Sequence, residues 1–112
     1  MLKKGDILQL RVSYSDGSGA KARPCVIIAK HNSDWNFLEI SSKDHLKNDE
    51  YCYLLSKENY HLKKNSYIKI WKINTIDQTK LPNTPAVLDS LSQKDLQKII
   101  EKLNSYFLLD SR

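Results

Sequence analysis

The chain of 112 residues is 40% hydrophobic, which is enough for one compact domain over residues 1–112 and too little for two domains with separate cores. No stretch approaches the roughly 18 apolar residues that span a bilayer, and no signal-like segment opens the chain. These features predict a cytoplasmic protein without a membrane partner.

The formal net charge is +5, and Lys57–Lys80 holds six lysines against Glu58 and Asp77. A basic segment favours an anionic partner, first of all nucleic acid, although a solvated lysine-rich surface explains the charge equally well.

The first part of the chain predicts a meander of three strands. Ile7–Tyr14 alternates apolar and polar side chains, which is the period of a half-buried strand. The polar stretch Asp16–Ala22 predicts a loop, and the short apolar run Cys25–Ala29 predicts a buried second strand. A turn over residues 30–34 then leads to a third strand over Asn36–Ser41.

The middle of the chain predicts fewer regular elements. The charged stretch Lys43–Glu50 indicates a loop, and Tyr51–Leu55 is a plausible short strand. Tyr67–Ile73 predicts a strand with apolar contacts on both faces, and Thr75–Asp77 adds a short terminal strand or a turn. Prolines at 82 and 85 then bound a predicted linker.

The end of the chain predicts one amphipathic helix. Ser92 is a suitable N-cap with Asp95 at the third helical position, and Leu91 can pack onto Leu96. The apolar face at helical spacing comprises Leu96, Ile99, Ile100, Leu103 and Phe107. Short strands closed by one helix predict a small α+β fold that is mainly β. Its sheet is expected to be strongly curved or to form a partly open barrel.

Metal-ligand patterns are missing from the sequence. The histidines His31, His45 and His61 are far apart, and we interpret them as ordinary surface residues. The two cysteines, Cys25 and Cys52, have neither the spacing of a metal site nor the number of a disulfide framework, which indicates buried thiols. We therefore expect no metal and no cofactor.

The junction between the first loop and the second strand is the best candidate for a binding site. Pro24 fixes its own φ and biases Arg23 to an extended conformation, so the guanidinium is held at a defined place beside a polar loop. Binding loops on rigid scaffolds have this organisation. The alternative is a structural ion pair of Arg23 with Asp16 or Asp6.

Several stretches in the same order resemble the PemK/MazF family of toxin ribonucleases from bacterial toxin–antitoxin pairs. They are Gly5–Leu8, Asp16–Pro24 leading into an apolar strand, Ile40–Ser42, Leu62–Ile68, Thr75–Asp77 and Leu91–Ile99. The resemblance implies an SH3-like barrel with a C-terminal helix. It also implies a homodimeric, metal-independent and sequence-specific endoribonuclease that cleaves single-stranded mRNA and is inhibited by a cognate antitoxin. The alternative is a module of the same fold without catalysis, which binds RNA or acts on DNA gyrase.

RNA cleavage without a metal requires a base for the ribose 2′-hydroxyl, stabilisation of charge on the phosphate and a proton for the leaving oxygen. The planar fork of Arg23 suits the second task. By resemblance, the catalytic residues are Arg23 and Ser41; for Ser41 the alternative is a hydroxyl that bonds only the backbone at the strand end. The predicted RNA-contacting residues are Asp16, Ser18, Lys21, Ser42, Lys63, Lys64, Ser66, Lys69 and Trp71.

Two departures from the family pattern leave the acid and the base open. Some relatives carry a glutamate in the first loop where this chain has Gly19 and Ala20, so Asp16 or its surroundings would have to serve instead. Many relatives also have an acidic residue at the position of Trp71. An indole cannot transfer a proton, but it can stack on a base or pack against the C-terminal helix. Lys69 is a candidate phosphate contact or acid.

Overall fold

The computed structural model describes residues 2–109, in which a six-stranded antiparallel sheet is followed by one α-helix. The strands are β1 (Asp6–Ser13), β2 (Ala20–His31), β3 (Asp34–Ser41), β4 (Cys52–Leu55), β5 (Ser66–Asp77) and β6 (Val87–Ser90), and the helix is α1 (Gln93–Phe107). Short 3₁₀ turns cover Asp44–Asn48 and Gln78–Lys80.

The sheet has the strand order β4-β5-β3-β2-β1-β6 and does not close. The first three strands pair consecutively and antiparallel, which confirms the predicted meander. β4 and β6 form the two edges. The mainly β fold with α is thus confirmed, and the sheet is open.

The prediction of a loop over Asp16–Ala22 is wrong at its end, because β2 begins at Ala20. Arg23 and Pro24 therefore lie inside a strand and pair with Leu10 and Gln9 of β1. Pairing of β2 with β3 begins only at Cys25. Up to that point the strand has one partner, and an edge of this kind tolerates the missing N–H of a proline.

Sequence reasoning missed a strand, β6, which lies between the linker predicted from Pro82 to Pro85 and the helix. β6 has four residues, pairs with β1 and buries no large apolar side chain, so it carries no hydrophobic period. The hydroxyl of Ser90 donates to the buried carboxylate of Asp6 at 2.7 Å, which ties this edge to β1. Thr75–Asp77 is the continuation of β5, and Lys43–Glu50 contains a 3₁₀ turn.

Apolar side chains pack on both faces of the sheet, because successive residues of a strand point to opposite sides. The main core lies under α1 and comprises Ile7, Val26, Leu38, Ile40, Leu55, Tyr60, Ile68, Ile70, Ile99 and Leu103. A second cluster comprises Leu8, Leu10, Val12, Cys25, Ile27, Trp35, Phe37 and Leu81, and a third comprises Leu46, Cys52 and Tyr67. Both cysteines are buried and free, as predicted.

The helix is capped and anchored at its first turn. The hydroxyl of Ser92 accepts the backbone N–H of Asp95 at 3.1 Å, which confirms the predicted N-cap. The Asp95 carboxylate also accepts hydrogen bonds from the hydroxyls of Tyr53 and Tyr60. Burial alone would raise the pKa of Asp95, but the hydrogen bonds from both tyrosines and Ser92 outweigh it and leave the pKa lowered. The ionised carboxylate therefore holds the segment before β5 against the helix.

The far end of the helix differs from the prediction. Phe107 is 62% exposed, and Tyr106 packs against the main core in its place. In the part of the chain that the structure describes, α1 and the short turns are each too short or too polar to cross a bilayer.

Candidate nucleic-acid cleft

A cleft of about 540 Å³ lies between the first half of β2, the end of β3 and the segment that precedes β5. Seven of the eleven predicted site residues line it: Lys21, Arg23, Ser41, Ser42, Lys63, Lys64 and Ser66. The other four, Asp16, Ser18, Lys69 and Trp71, are not among the lining residues. The described lining contains six ionisable side chains, none of them acidic.

The side chain of Arg23 lines this cleft, and the buried carboxylate of Glu39 lies behind it. Oε1 of Glu39 lies 3.6 Å from Nε of Arg23 and 4.0 Å from Nζ of Lys69. The Glu39 side chain is 4% exposed, against 20% for Arg23 and 15% for Lys69. Because the contact to Arg23 runs through Nε, the outer edge of the guanidinium can bind another anion. The ring of Tyr14 lies 5.9 Å below the guanidinium carbon and adds a cation–π contact.

Strand register explains this grouping. Cys25 of β2 pairs with Glu39 of β3, so Arg23 and Ser41, each two residues further toward the cleft, share the face of that pair. Arg23 does form an ion pair, which was the alternative interpretation of this residue, but its partner is Glu39 and not Asp16 or Asp6. Sequence reasoning missed Glu39. The signal was a lone carboxylate in an apolar strand, which is stable only beside cations.

The environment of Lys69 changes its proton affinity. Desolvation is the largest influence and lowers the pKa of Lys69, and the neighbouring cations Arg23, Lys72 and Lys43 lower it further. Glu39 acts in the opposite direction but does not reverse the shift. A lysine with a lowered pKa gives up its proton more readily, which suits the role of acid predicted for it.

The serine hydroxyls at the cleft differ in whether their protons are already used in hydrogen bonds within the protein. Ser41 is buried, and its Oγ accepts the N–H of Lys43 at 3.4 Å, a weak contact that leaves the hydroxyl proton available. Ser66 donates to the carbonyl of Lys64 at 3.1 Å, so its proton is used by the backbone. Ser42 is exposed.

The β1–β2 loop satisfies its own polar groups. The Asp16 carboxylate accepts the backbone N–H of Ser18 at 2.9 Å, and Gly17 has φ +77°, which glycine adopts without strain. Hydrogen bonds from Ser18 lower the pKa of Asp16. Because a weaker base accepts a proton less readily, Asp16 is a poor substitute for the missing loop glutamate. Lys72 of β5 donates to Ser15 and ties the loop to the sheet.

Trp71 packs against the cluster of Leu46, Cys52 and Tyr67. The C-terminal helix faces Ile68 and Ile70 in the main core and not Trp71. The alternative that Trp71 packs against this helix is therefore wrong, although the indole does pack against other residues. The indole is half-buried. Its stacking on an RNA base stays a prediction.

Trp71→Ala separates packing from stacking. We expect the free energy of unfolding to fall by about 2 kcal/mol, below the usual range for a fully buried Trp because the indole is only half-buried. Thermal melts of the wild type, Trp71→Ala and Trp71→Phe measure this loss. A stack would additionally weaken RNA binding by about 1–3 kcal/mol in Trp71→Ala and much less in Trp71→Phe. RNA binding that is unchanged in folded Trp71→Ala would contradict stacking, and an unchanged melting temperature would contradict packing.

A second cleft of about 480 Å³ adjoins the first and shares Lys63 and Lys64 with it. Two further lysines, Lys47 and Lys57, line it together with Asp44, Asn65 and Tyr67. Sequence reasoning did not name Lys47 or Lys57 as RNA contacts, because neither lies in a stretch that resembles the family, although Lys57 begins the basic segment noted above. Together the clefts form a continuous cationic track.

Among residues 2–109, no three histidine, cysteine or acidic side chains gather at a spacing suited to a metal ion. Burial raises the pKa of Cys25 to about 12 and that of Cys52 to about 11, with Glu39 and Asp49 respectively adding to the effect. Both thiols are therefore protonated and unreactive at neutral pH.

Comparison with known proteins places the chain in a family. The model of the PemK-like, MazF-like toxins of type II toxin–antitoxin systems matches residues 3–107. The chain belongs to this family. It is thus a MazF-like toxin, as the resemblance in the sequence implied.

Solved structures agree with this assignment at the level of the fold. The crystal structure of MazE-MazF (Form-II) from Deinococcus radiodurans has a TM-score of 0.68 and 13% sequence identity, with 97% of each chain covered. Form-III from the same organism has a TM-score of 0.69 and 14% identity, covering 97% of this chain and 98% of that chain. No curated protein sequence matches the chain.

Proposed function

We propose that this MazF-like toxin is a metal-independent, sequence-specific endoribonuclease that cleaves single-stranded mRNA in the cytoplasm. The observation that carries the proposal is the cleft itself, where Arg23 and Ser41 from neighbouring strands meet a lining whose charged side chains are cationic. A lining of this kind attracts the phosphate backbone, and single strands fit a groove that tracks it.

The residues divide the chemistry between them. The guanidinium of Arg23 binds two phosphate oxygens and stabilises the charge that develops on them as the 2′-oxygen attacks phosphorus. The Ser41 hydroxyl, on the neighbouring strand β3, donates to the phosphate or orients the 2′-hydroxyl. Lys69, which lies 4.0 Å from the Glu39 partner of Arg23 and has a lowered pKa, supplies the proton to the leaving 5′-oxygen.

Incubation of the purified protein with a long single-stranded RNA in EDTA tests the proposal. Discrete fragments ending in a 2′,3′-cyclic phosphate support cleavage without a metal. RNA that stays intact but shifts in a native gel would instead indicate a binding module of the same fold.

The family also suggests partners. The MazE-MazF crystal structures and the type II toxin–antitoxin family support a cognate antitoxin as a partner. We propose that this antitoxin inhibits the toxin and that the toxin acts as a homodimer. Since the toxin is basic, the expected inhibitor is a small acidic protein encoded beside it. Adding that protein to the cleavage reaction should protect the RNA, and light scattering of the toxin alone should give twice the mass of the chain.

The cationic track predicts a steep salt dependence of RNA binding. Each lysine removed from a bound phosphate should flatten the slope of log K against log salt by about 0.7 for a single strand. We expect the double variant Lys63→Ala/Lys64→Ala, which removes the two lysines shared by both clefts, to flatten it by about 1.4. Lys69 should contribute less than a free lysine, because it is 15% exposed and paired with Glu39.

The matched control is Lys94→Ala/Lys98→Ala, which removes the same charge from the exposed side of α1, away from both clefts. Binding is measured with a catalytically inactive background at several salt concentrations. Equal slopes for the two double variants would place the RNA elsewhere on the surface.

A further inference from the structure

Among the described residues that line the cleft, His61 is the one histidine. The other ionisable lining groups are lysines and Arg23. The described lining contains no carboxylate, and the acidic residues that some relatives carry are replaced in this chain by Gly19, Ala20 and Trp71. His61 is a surface residue, as predicted, and it also lines the cleft.

The position of His61 is fixed by its two neighbours. Tyr60 is buried and bonded to Asp95, and Leu62 packs against the main core. The N–H of Leu62 donates to the carbonyl of Tyr60 at 2.8 Å, which closes a tight turn between these anchors. The side chain between them is directed outward and is 90% exposed, in contact with the solvent and with the space that a substrate would fill.

Asp89 of β6 orients the imidazole. Its Oδ2 lies 3.2 Å from Nδ1 of His61 and also accepts the backbone N–H of His61 at 2.8 Å. Its Oδ1 accepts the N–H of Ser90 at 2.8 Å. Burial opposes ionisation of Asp89, but these hydrogen bonds outweigh it and lower the pKa. A fixed, ionised carboxylate at Nδ1 leaves Nε2 for the substrate, which is the arrangement of an oriented catalytic base.

We propose that His61, oriented by Asp89, is the general base of the RNA cleavage reaction. This rests on the endoribonuclease activity proposed above. Nε2 of the neutral imidazole takes the proton of the ribose 2′-hydroxyl while the 2′-oxygen forms a bond to phosphorus. The bond from phosphorus to the 5′-oxygen breaks, and that oxygen leaves with the bonding electrons and takes a proton from the ammonium group of Lys69, the acid proposed above. The proton on the His61 imidazolium then passes through solvent to the neutral amine of Lys69, which restores both groups.

The surrounding charges act on this step in two directions. Asp89 stabilises the imidazolium as it forms, whereas the cationic side chains disfavour it. The cations that face the same cleft are Lys21, Arg23, Lys43, Lys63 and Lys64. A bound phosphate offsets part of their charge, so the substrate itself favours proton transfer to His61.

Single-turnover cleavage of a long single-stranded RNA in EDTA, followed from about pH 5 to pH 8, tests the assignment. The variants are His61→Gln, Asp89→Asn and the control His31→Gln, which changes an exposed histidine at the far end of β2. We expect His61→Gln to slow cleavage by about 10²–10⁴-fold, with RNA affinity retained. The wild-type rate should rise with pH as the base loses its proton, and this rise should disappear in His61→Gln. Asp89→Asn should give a smaller loss, and His31→Gln none.

The possible failures are distinct. Wild-type protein that leaves the RNA intact overturns the endoribonuclease proposal, and this assignment with it. Wild-type cleavage that His61→Gln performs at the same rate, or with the same rise with pH, overturns the assignment of His61 alone. Since the side chain is 90% exposed, loss of folding does not explain a slow His61→Gln variant, and its melting temperature provides the check.

Discussion

Arg23→Ala will reduce RNA cleavage by at least about 10²–10³-fold, which is the usual loss when a group that stabilises developing charge is removed. Arg23→Lys will fail as well, because a single ammonium group cannot hold two phosphate oxygens and cannot keep the Nε contact to Glu39. Both variants should stay folded, since Lys69 remains beside Glu39 to compensate its charge.

The measurement combines cleavage of single-stranded RNA, growth inhibition on expression, and thermal melting of the purified variants. Arg11→Ala is the matched control, because it removes an exposed arginine of the same sheet that lines neither cleft. Full activity in a well-folded Arg23→Ala protein would remove Arg23 from the mechanism.

The helix and most of the strands could be predicted from local sequence patterns. The alternation in β1 and the helical spacing of Ile99 and Leu103 each predict one buried face. The structure buries Leu8, Leu10 and Val12 of β1 and both residues of the helix. β6 could not be found in this way. It is held by pairing with β1 and by the bond between Ser90 and Asp6, and neither contact leaves a hydrophobic period in the sequence.

The family resemblance named seven of the residues that line the cleft, but not Glu39 or Asp89. Arg23, Ser41, Lys63 and Lys64 lie in stretches that match the family, whereas Glu39 and His61 act through partners distant in the chain. The partner of His61 is Asp89, 28 residues away and on the missed strand. Sequence spacing carries no information on such a contact unless the strand order is known.

Glu39 illustrates how a buried charge links the fold to the site. Two cations share one of its oxygens, at 3.6 and 4.0 Å, and both distances are longer than a hydrogen bond, so the contacts are electrostatic. Removing one partner of a buried ion pair costs about 3–5 kcal/mol. Because Arg23 and Lys69 keep some contact with solvent, we expect Glu39→Ala to cost about 3 kcal/mol, at the lower end of that range.

The loss should depend on pH through Lys69. Its pKa is lowered in the folded protein, so the unfolded chain binds more protons between that value and the ordinary lysine value, and stability rises with pH across this window. Glu39 raises the pKa of Lys69, so its removal lowers that pKa further and extends the window to lower pH. The cost of Glu39→Ala should therefore be largest at neutral pH and shrink toward about pH 10, where lysine loses its charge in either state.

Urea unfolding at several pH values measures this cost in Glu39→Ala, in Lys69→Met, in Glu39→Ala/Lys69→Met and in the control Glu101→Gln. Glu101 forms an exposed pair with Lys98 at 3.9 Å, and the loss of such a pair costs about 1 kcal/mol or less. If the cost arises from uncompensated cations, the double variant should be more stable than Glu39→Ala, because one of the two repelling charges is gone. A double variant that is less stable, by the sum of the two single losses, would show instead that Glu39 contributes through packing and not through charge.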